Sequence, residues 1–211
     1  HKRDLGFSPD SKNFLFWKDG EVWNYILSSG SLYSVTEKSD AQFENQEFDY
    51  ARERPPYGVA GFTKDGKNVI LYSRYDLWLQ PLDGKKASCI TNGYGTENEI
   101  VLRYIQTDRD EKFIDNTKPL LLSATGQWTK KAGFFTLEKG KLKELLYTDN
   151  NYGRITKPEK SDKYMLTRES PREYPDYYVT DTRFSSFDRL SDANPIVDNY
   201  NWYNNILIEY T

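Results

Sequence analysis

The stretch FSPDSKNFLFWKDGEVW, residues 7–23, contains two short apolar runs, each preceded by a turn. Ser, Pro, Asp and Ser precede the first run, and Lys18-Asp19-Gly20 leads into the second. Gly, Pro and Asp mark turns, whereas aromatic and β-branched residues suit a half-buried pleated surface. The related stretch FTKDGKNVILYSRYDLW occupies residues 62–78, so the sequence predicts a repeated antiparallel unit.

The repeat extends beyond these two stretches. When the chain is shifted by 55 residues, residues 6–36 fall on residues 61–91. The identical pairs are Gly6/Gly61, Phe7/Phe62, Asp10/Asp65, Lys12/Lys67, Asn13/Asn68, Trp23/Trp78, Leu27/Leu82 and Thr36/Thr91. Two weaker copies follow, with strands predicted at residues 120–123, 133–137 and 142–147, and at 164–168, 177–181 and 186–190. Short strands separated by Gly, Asp and Asn turns indicate hairpin-linked antiparallel sheets.

Four-stranded antiparallel units repeated at this length are typical of β-propeller blades. One such sheet cannot bury both of its faces alone, but stacked blades cover one another. The sequence therefore predicts an all-β fragment of about four blades that belongs to a larger propeller. The predicted blades span roughly residues 1–50, 51–95, 96–150 and 151–200. Trp23 and Trp78 are expected at equivalent buried places between sheets.

The composition excludes several classes of protein. The net charge is −3 with Lys and Arg scattered among the acids, so no nucleic-acid partner is expected. No apolar run approaches the length needed to span a membrane, and no signal peptide begins the chain. Cys89 is the single cysteine, which leaves no internal disulfide and no cysteine-based zinc site. We expect Cys89 to be a buried, inert thiol.

Two stretches interrupt the repeat. Residues 41–60 contain a candidate outer strand and the segment ARERPPYG, which is either a contact for a peptide or protein partner or a solvated connection between blades. Residues 96–119 contain a strand predicted at 100–106, followed by an acidic-basic hairpin. Asp108, Asp110, Glu111 and Asp115 in that hairpin could hold calcium, but the interleaved Arg109 and Lys112 favour a solvated loop.

Several segments together resemble the propeller domain of the prolyl oligopeptidase family, especially the bacterial relatives of dipeptidyl peptidase. These segments are FSPDSKNFLFWKDGEVWNY, TNGYGTENEIVLRYIQTDRDEKFID, TKKAGFF and LTRESPREYPDYYVTDTRFSSFDRLSDANP. The last segment is the most specific, since it resembles the end of the propeller before the hydrolase domain begins. Residues 201–211, NWYNNILIEYT, resemble the start of the connection into that domain.

The resemblance implies that the parent protein is a serine peptidase whose propeller scaffolds the enzyme and gates the access of peptides. The chain lacks the Gly-x-Ser-x-Gly elbow of the hydrolase domain, and its single histidine is His1. It also lacks the adjacent glutamates that grip the substrate amine in dipeptidyl-peptidase-type propellers. We therefore assign no catalytic, metal-binding or cofactor-binding residue and expect no cofactor. The substrate-binding residues stay unassigned.

Other interpretations remain open. A freestanding interaction propeller of TolB type would carry no hydrolase domain, and a glycan-binding propeller would use the excess of Tyr and Trp. The resemblance favours a periplasmic or cell-envelope location. The expected partners are the hydrolase domain, peptide substrates of the parent enzyme and, because an open arc leaves apolar end faces, a second copy of the chain.

We predict that this chain alone does not hydrolyse dipeptidyl or prolyl chromogenic substrates. A serine nucleophile needs a positioned base, and no internal histidine can supply one. The measurement is release of the chromophore by purified chain over hours. Turnover that co-purifies with the chain and survives substitution of His1 would contradict the prediction.

Overall fold

A computed structural model describes residues 3–202, together with residues 206 and 208. Within these residues, sixteen strands form four separate sheets of four antiparallel strands each, and sequential strands are neighbours in every sheet. This arrangement confirms the predicted all-β fold class. Of the connection predicted at residues 201–211, most residues lie outside the described part, as does His1.

The first two blades have the shorter strands. Their bounds are β1 Arg3–Phe7, β2 Asn13–Lys18, β3 Glu21–Ile26 and β4 Leu32–Ser34, then β5 Val59–Phe62, β6 Asn68–Tyr72, β7 Leu77–Pro81 and β8 Ser88–Cys89. A short helix, α1, spans Tyr94–Asn98. No helix in the described part of the chain is long and apolar enough to cross a membrane.

The third and fourth blades have longer central strands. Their bounds are β9 Ile100–Tyr104, β10 Leu120–Gly126, β11 Ala132–Glu138 and β12 Lys141–Thr148, then β13 Asn151–Tyr152, β14 Lys163–Ser170, β15 Glu173–Asp181 and β16 Phe187–Arg189. A 3-10 helix at Pro195–Asn199 follows the last strand.

The turns that the sequence marks are formed as short hairpins. Asp19 and Gly20 both have positive φ, 53° and 79°, and they join β2 to β3 between the paired residues Lys18 and Glu21. Two successive positive φ angles define the two-residue turn whose twist matches antiparallel strands. Lys139 and Gly140 form the same turn between the paired residues Glu138 and Lys141, with φ of 48° and 74°.

The repeated polar residues make the same hydrogen bonds in both of the first two blades. The hydroxyls of Ser8 and Thr63 each donate to the carboxylate two residues later at 2.6 Å. The threonines that recur at the end of each unit accept hydrogen bonds from the backbone of the third strand. Val22 N–H donates to Thr36 at 2.9 Å, and Leu77 N–H donates to Thr91 at 3.2 Å. The repeat therefore preserves side chains that satisfy backbone donors where the ladder ends.

Three apolar clusters hold neighbouring blades together. The first joins blades one and two, the second joins blades two and three, and the third joins blades three and four. Alternation along β2 sends Leu15 and Trp17 into the first cluster and Phe14 to the opposite face. Within the described residues, no such cluster joins blade four to blade one, so the four sheets form an open arc.

Two strand predictions are wrong. Residues 41–58 hold one isolated bridge, between Glu44 and Pro56, in place of the expected outer strand. Residues 105–119 form no hairpin, because the chain returns to the second blade after β9. There Ile114 N–H donates to the Phe62 carbonyl at 2.8 Å and its side chain is buried in the second cluster. Burial of one isoleucine thus overrides the polar pattern that favoured a free-standing hairpin.

The expectation for the two equivalent tryptophans is half right. Trp23 and Trp78 pair with Phe16 and Leu71 at matching positions of their sheets, but both are only half-buried. The most deeply buried tryptophan is Trp17, with 1% of its surface exposed, and its indole N–H donates to the Arg54 carbonyl at 2.8 Å. Trp17 is buried more deeply than Trp23 because the second blade covers the face of the first sheet on which Trp17 lies.

We predict that Trp17→Ala lowers the free energy of unfolding by about 3–5 kcal/mol, the usual cost of emptying a buried aromatic site. Urea unfolding followed by circular dichroism measures the change. The control is Trp128→Ala, since Trp128 is 58% exposed. Equal losses in the two variants would show that the first apolar cluster is not where stability resides.

Candidate functional site

The first strand of each blade lies next to the central axis in a propeller, so its side chains are candidates for contact with a ligand in the channel. On β9, Ile100 and Leu102 are buried against the second blade. Arg103 lies between these apolar positions and Tyr104, and its side chain is half-buried. Arg103 is thus a half-buried cation that follows the buried apolar residues of its strand, which is an uncommon environment for a charge.

The guanidinium of Arg103 is held by neutral groups. It donates to the carbonyl oxygens of Leu102 at 2.7 Å and Arg74 at 3.0 Å. Its central carbon lies 4.6 Å from the centre of the Tyr72 ring, a cation–π contact. Among residues 3–202, no carboxylate forms an ion pair with it. Burial lowers the pKa of Arg103, because desolvation disfavours its charged form.

The nearest buried carboxylate is occupied elsewhere. Asp76 accepts from the Thr91 hydroxyl at 2.6 Å and from the backbone N–H of Gly95 at 2.9 Å. Its other oxygen accepts from the N–H and the hydroxyl of Thr96, at 2.8 and 2.6 Å. Asp76 thus ties the second blade to α1, and its oxygens are already satisfied by four donors. Arg103 retains N–H donors for a ligand oxygen.

Tyrosines surround Arg103. Burial raises the pKa of Tyr72, and it raises the pKa of Tyr104 to about 12, so both phenols keep their protons at neutral pH. The Tyr72 hydroxyl accepts from Tyr104 N–H at 3.1 Å, which leaves its own proton available to donate. A charged guanidinium beside a neutral phenol suits the oxygens of a carboxylate or a peptide carbonyl.

A second arginine, Arg74, joins Arg103 and Tyr72 to the segment between the first two blades. Arg74 donates to Glu47 at 2.6 Å, and its buried Nε has no hydrogen-bond partner in the described residues. Tyr57 follows the Pro-Pro pair of the same connection and accepts from Gln46 N–H at 3.2 Å. We call Tyr57, Tyr72, Arg74 and Arg103 the arginine–tyrosine cluster.

The segment ARERPPYG, residues 51–58, adjoins this cluster at its C-terminal end. Its residues 51–54 are exposed, and its backbone is anchored by the Trp17 hydrogen bond to Arg54. Arg52 lies over the rings of Phe48 and Tyr50, at 5.1 and 5.7 Å from their centres. Because this loop is anchored and exposed, contact with a peptide or protein partner stays a prediction for it.

The candidate calcium ligands do not converge. Asp115 accepts from the Thr117 hydroxyl at 2.6 Å and pairs with Lys64 at 3.1 Å. Asp108 accepts from the backbone of Asp110, and Glu111 lies 4.0 Å from Lys118. In the described part of the chain, no group of three acidic, histidine or cysteine side chains is placed to hold a metal ion.

A cleft of about 380 Å³ lies between the 105–119 loop and residues 154–159. Acidic and basic side chains alternate around it, namely Asp108, Arg109, Asp110, Arg154, Lys157 and Glu159. Such a lining shows no preference for one sign of charge, so it does not indicate a ligand class.

Cys89 differs from its expectation. It is half-buried rather than buried, and its sulfur accepts from Gly93 N–H at 3.2 Å. The arginine–tyrosine cluster was not found from the sequence. The available signal was Arg103 itself, a charged residue inside the apolar run IVLRY, but its three neighbours come from other parts of the chain.

No family model and no curated protein matches this chain. Solved structures do match it in fold. A TolB structure from Agrobacterium tumefaciens, described as putative, is 14% identical over 92% of this chain and 62% of its own, with a TM-score of 0.52. A putative dipeptidyl aminopeptidase IV from Bacteroides ovatus is 13% identical over 93% of this chain and 30% of its own, with a TM-score of 0.60.

The dipeptidyl peptidase 4 of Porphyromonas gingivalis is 9% identical over 87% of this chain and 31% of its own, with a TM-score of 0.52. The chain therefore spans less than two thirds of the length of these structures. At these identities the likeness shows the fold, a propeller of the kind found in TolB and in prolyl peptidases. This agrees with the resemblance that the sequence segments carry.

We predict that Asp115 contributes stability that acid removes. The Thr117 hydroxyl and the Lys64 ammonium hold the pKa of Asp115 well below its usual range. A carboxyl with a lowered pKa in the folded state stabilises the fold above its unfolded pKa, about 3.9, and this stabilisation is lost as the pH falls further. Asp115→Asn should therefore lower the urea midpoint at pH 7 and flatten its decline below pH 4.

The control for this measurement is Asp108→Asn, in the same loop. Urea midpoints at pH 7, 5 and 3 are compared for the three proteins. An Asp115→Asn variant whose midpoint falls with acid as steeply as that of the unmodified chain would contradict the prediction.

Proposed function

We propose that this chain is part of the accessory propeller of a prolyl oligopeptidase-like serine peptidase. Its role is to scaffold the enzyme and to restrict the entry of peptides, and it is inactive by itself. The observation that carries the proposal is Arg103, a half-buried cation on an axial strand whose protein partners are carbonyls and a tyrosine ring. The likeness to dipeptidyl peptidase structures supports it.

The mechanism follows from what a guanidinium can bind. Arg103 presents remaining N–H donors in a plane fixed by its stacking on Tyr72, so its geometry is set before a ligand arrives. A peptide oxygen placed against these donors would also accept a hydrogen bond from the Tyr72 hydroxyl. The cluster would thereby hold a short peptide by its backbone or its terminal carboxylate, while the hydrolase domain of the parent protein supplies the bond-breaking chemistry.

The rest of the chain would restrict the entry of peptides because its blades are held rigidly. Asp76 and the three apolar clusters fix the blades relative to one another, so the width of the entry is set by packing. The exposed connection at residues 51–54 would meet another domain or a partner at the end where Arg74 lies.

A TolB-type interaction propeller is the second candidate. The TolB structure shares the fold and is covered to 62%, a larger share than either peptidase. The glycan-binding alternative is weaker, since Trp78 packs edge-on against the buried Phe43 with ring centres 6.3 Å apart. The two leading candidates differ in whether the complete gene product hydrolyses peptides.

The proposal is tested with the complete natural gene product. We predict that it cleaves short prolyl peptides and that Arg103→Met raises KM roughly 10- to 150-fold with little change in kcat. This range corresponds to a charged hydrogen bond worth about 1.5–3 kcal/mol. Arg103→Lys should restore part of the affinity, because it keeps the charge without the planar donors. Steady-state kinetics on free and amidated peptides measure both constants.

Lys139→Met is the matched control, since Lys139 lies in the outer turn between β11 and β12 and its side chain is 82% exposed. Thermal unfolding confirms that each variant is folded. An intact gene product without peptidase activity would favour the TolB-type candidate. Peptidase activity with an unchanged KM in Arg103→Met would remove the cluster from substrate binding.

A further inference from the structure

Arginines of this chain bind carboxylates in a complete and in an incomplete way. In the fourth blade, Arg168 donates from Nε to one oxygen of Glu173 at 3.0 Å and from Nη2 to the other at 2.7 Å. Arg74 uses the same edge of its guanidinium differently. Its Nη2 donates to Glu47 at 2.6 Å, whereas its buried Nε has no hydrogen-bond partner among the described residues. The Nε–Nη2 edge of Arg74 is therefore only half occupied.

Glu47 is held weakly at Arg74. The side chains of Arg74 and Glu47 are 39% and 50% exposed, and an ion pair this exposed adds little stability because water screens it. The buried Nε is costly, since a donor removed from water without a partner loses a hydrogen bond. A carboxylate that engages both nitrogens recovers that hydrogen bond. Arg74 therefore favours such a ligand over its single contact with Glu47.

The loop that carries Glu47 explains why the contact is single. Its base is fixed, because Asn45 N–H donates to the Pro55 carbonyl at 2.8 Å. The Asn45 side chain accepts from Glu47 N–H at 3.0 Å, so the backbone of Glu47 is held as well. From this fixed point the Glu47 side chain reaches one nitrogen of Arg74. Residues 49–52 of the same loop are exposed, so the loop tip has room to move when the contact is broken.

We propose that Arg74 binds the C-terminal carboxylate of a short peptide, and that Glu47 occupies this position until the peptide displaces it. An untethered carboxylate can place one oxygen on Nε and the other on Nη2, as Glu173 does on Arg168. The Arg103 guanidinium donates to the Arg74 carbonyl at 3.0 Å, so a second positive charge lies beside the site and favours an anion over a neutral amide. The choice of a peptide as the ligand rests on the proposed function.

The test is the binding of blocked peptides to this 211-residue chain alone, by calorimetry and by the NMR signals of arginine Nε–H groups. Acetyl-Ala-Pro with a free carboxylate should bind and shift the Arg74 Nε–H signal. Its amide should bind at least ~10-fold more weakly, because it lacks the charge. Acetyl-Glu-amide carries its carboxylate on the side chain and should bind more weakly than the free acid.

Three variants separate the residues. Glu47→Gln should tighten the binding of the free acid about 2- to 5-fold, because it removes the charge that competes for Arg74. Asp49→Asn is the matched control, since it removes the same charge from an exposed residue of the same loop. Arg74→Met should abolish the preference for the free acid over the amide. Circular dichroism and thermal unfolding show that each variant is folded.

The proposal is wrong if Glu47→Gln and Asp49→Asn change the affinity equally, or if Arg74→Met keeps the preference for the free acid. Equal affinity for acetyl-Ala-Pro and acetyl-Glu-amide would contradict the assignment to a peptide terminus. Failure of the proposed function is a separate result, namely a complete gene product without peptidase activity. A chain that binds the free acid while the gene product is inactive keeps this site and loses the peptidase role.

Discussion

Contact between the faces of neighbouring sheets is the interaction on which the rest of this structure depends. A sheet of four short strands has two faces and little thickness, so it gains most of its stability by burying those faces on other sheets. Leu15, Trp17 and Val22 of the first blade meet Val69 and Leu71 of the second, and the two later interfaces repeat the arrangement.

Polar residues maintain the apolar stacking by closing the backbone at each strand end. Thr36 and Thr91 accept hydrogen bonds from strands that would otherwise leave buried N–H groups unpaired. Asp76 goes further, because one carboxylate receives four donors from three residues beyond its own sheet. Because these hydrogen-bond donors are satisfied within each blade, the connections between blades can differ in length without leaving buried donors unpaired.

The arginine–tyrosine cluster departs from this pattern of local satisfaction. Arg103 is desolvated and lies over the ring of Tyr72. The nearby carboxylate of Asp76 already accepts hydrogen bonds from backbone N–H groups of α1. Burying a charge without a counter-ion is costly, and side chains that bear such a cost are frequent where a ligand completes the site. Of the four residues, Arg103 lies on the first strand of the third blade, and this position is the basis of the proposed role in admitting peptides.

The sequence by itself determined the fold class, because hairpin turns and the 55-residue repeat depend on residues close together in the chain. Asp19-Gly20 requires a two-residue turn, and alternation along β2 divides Leu15 from Phe14 without knowledge of any partner. Only the tertiary structure decided which face of each sheet is covered, and hence that Trp17 is buried more deeply than Trp23.

The same distinction separates the failed strand predictions and the missed site from the successful ones. Ile114 returns to the second blade because a hydrophobic pocket exists there, and Arg103 stands beside Tyr72 and Arg74 because two blades meet. Local propensity contains no term for contacts between residues some 30–50 positions apart in the sequence. Packing between blades therefore placed the candidate binding groups, whereas the turn and strand pattern of the sequence built the blades themselves.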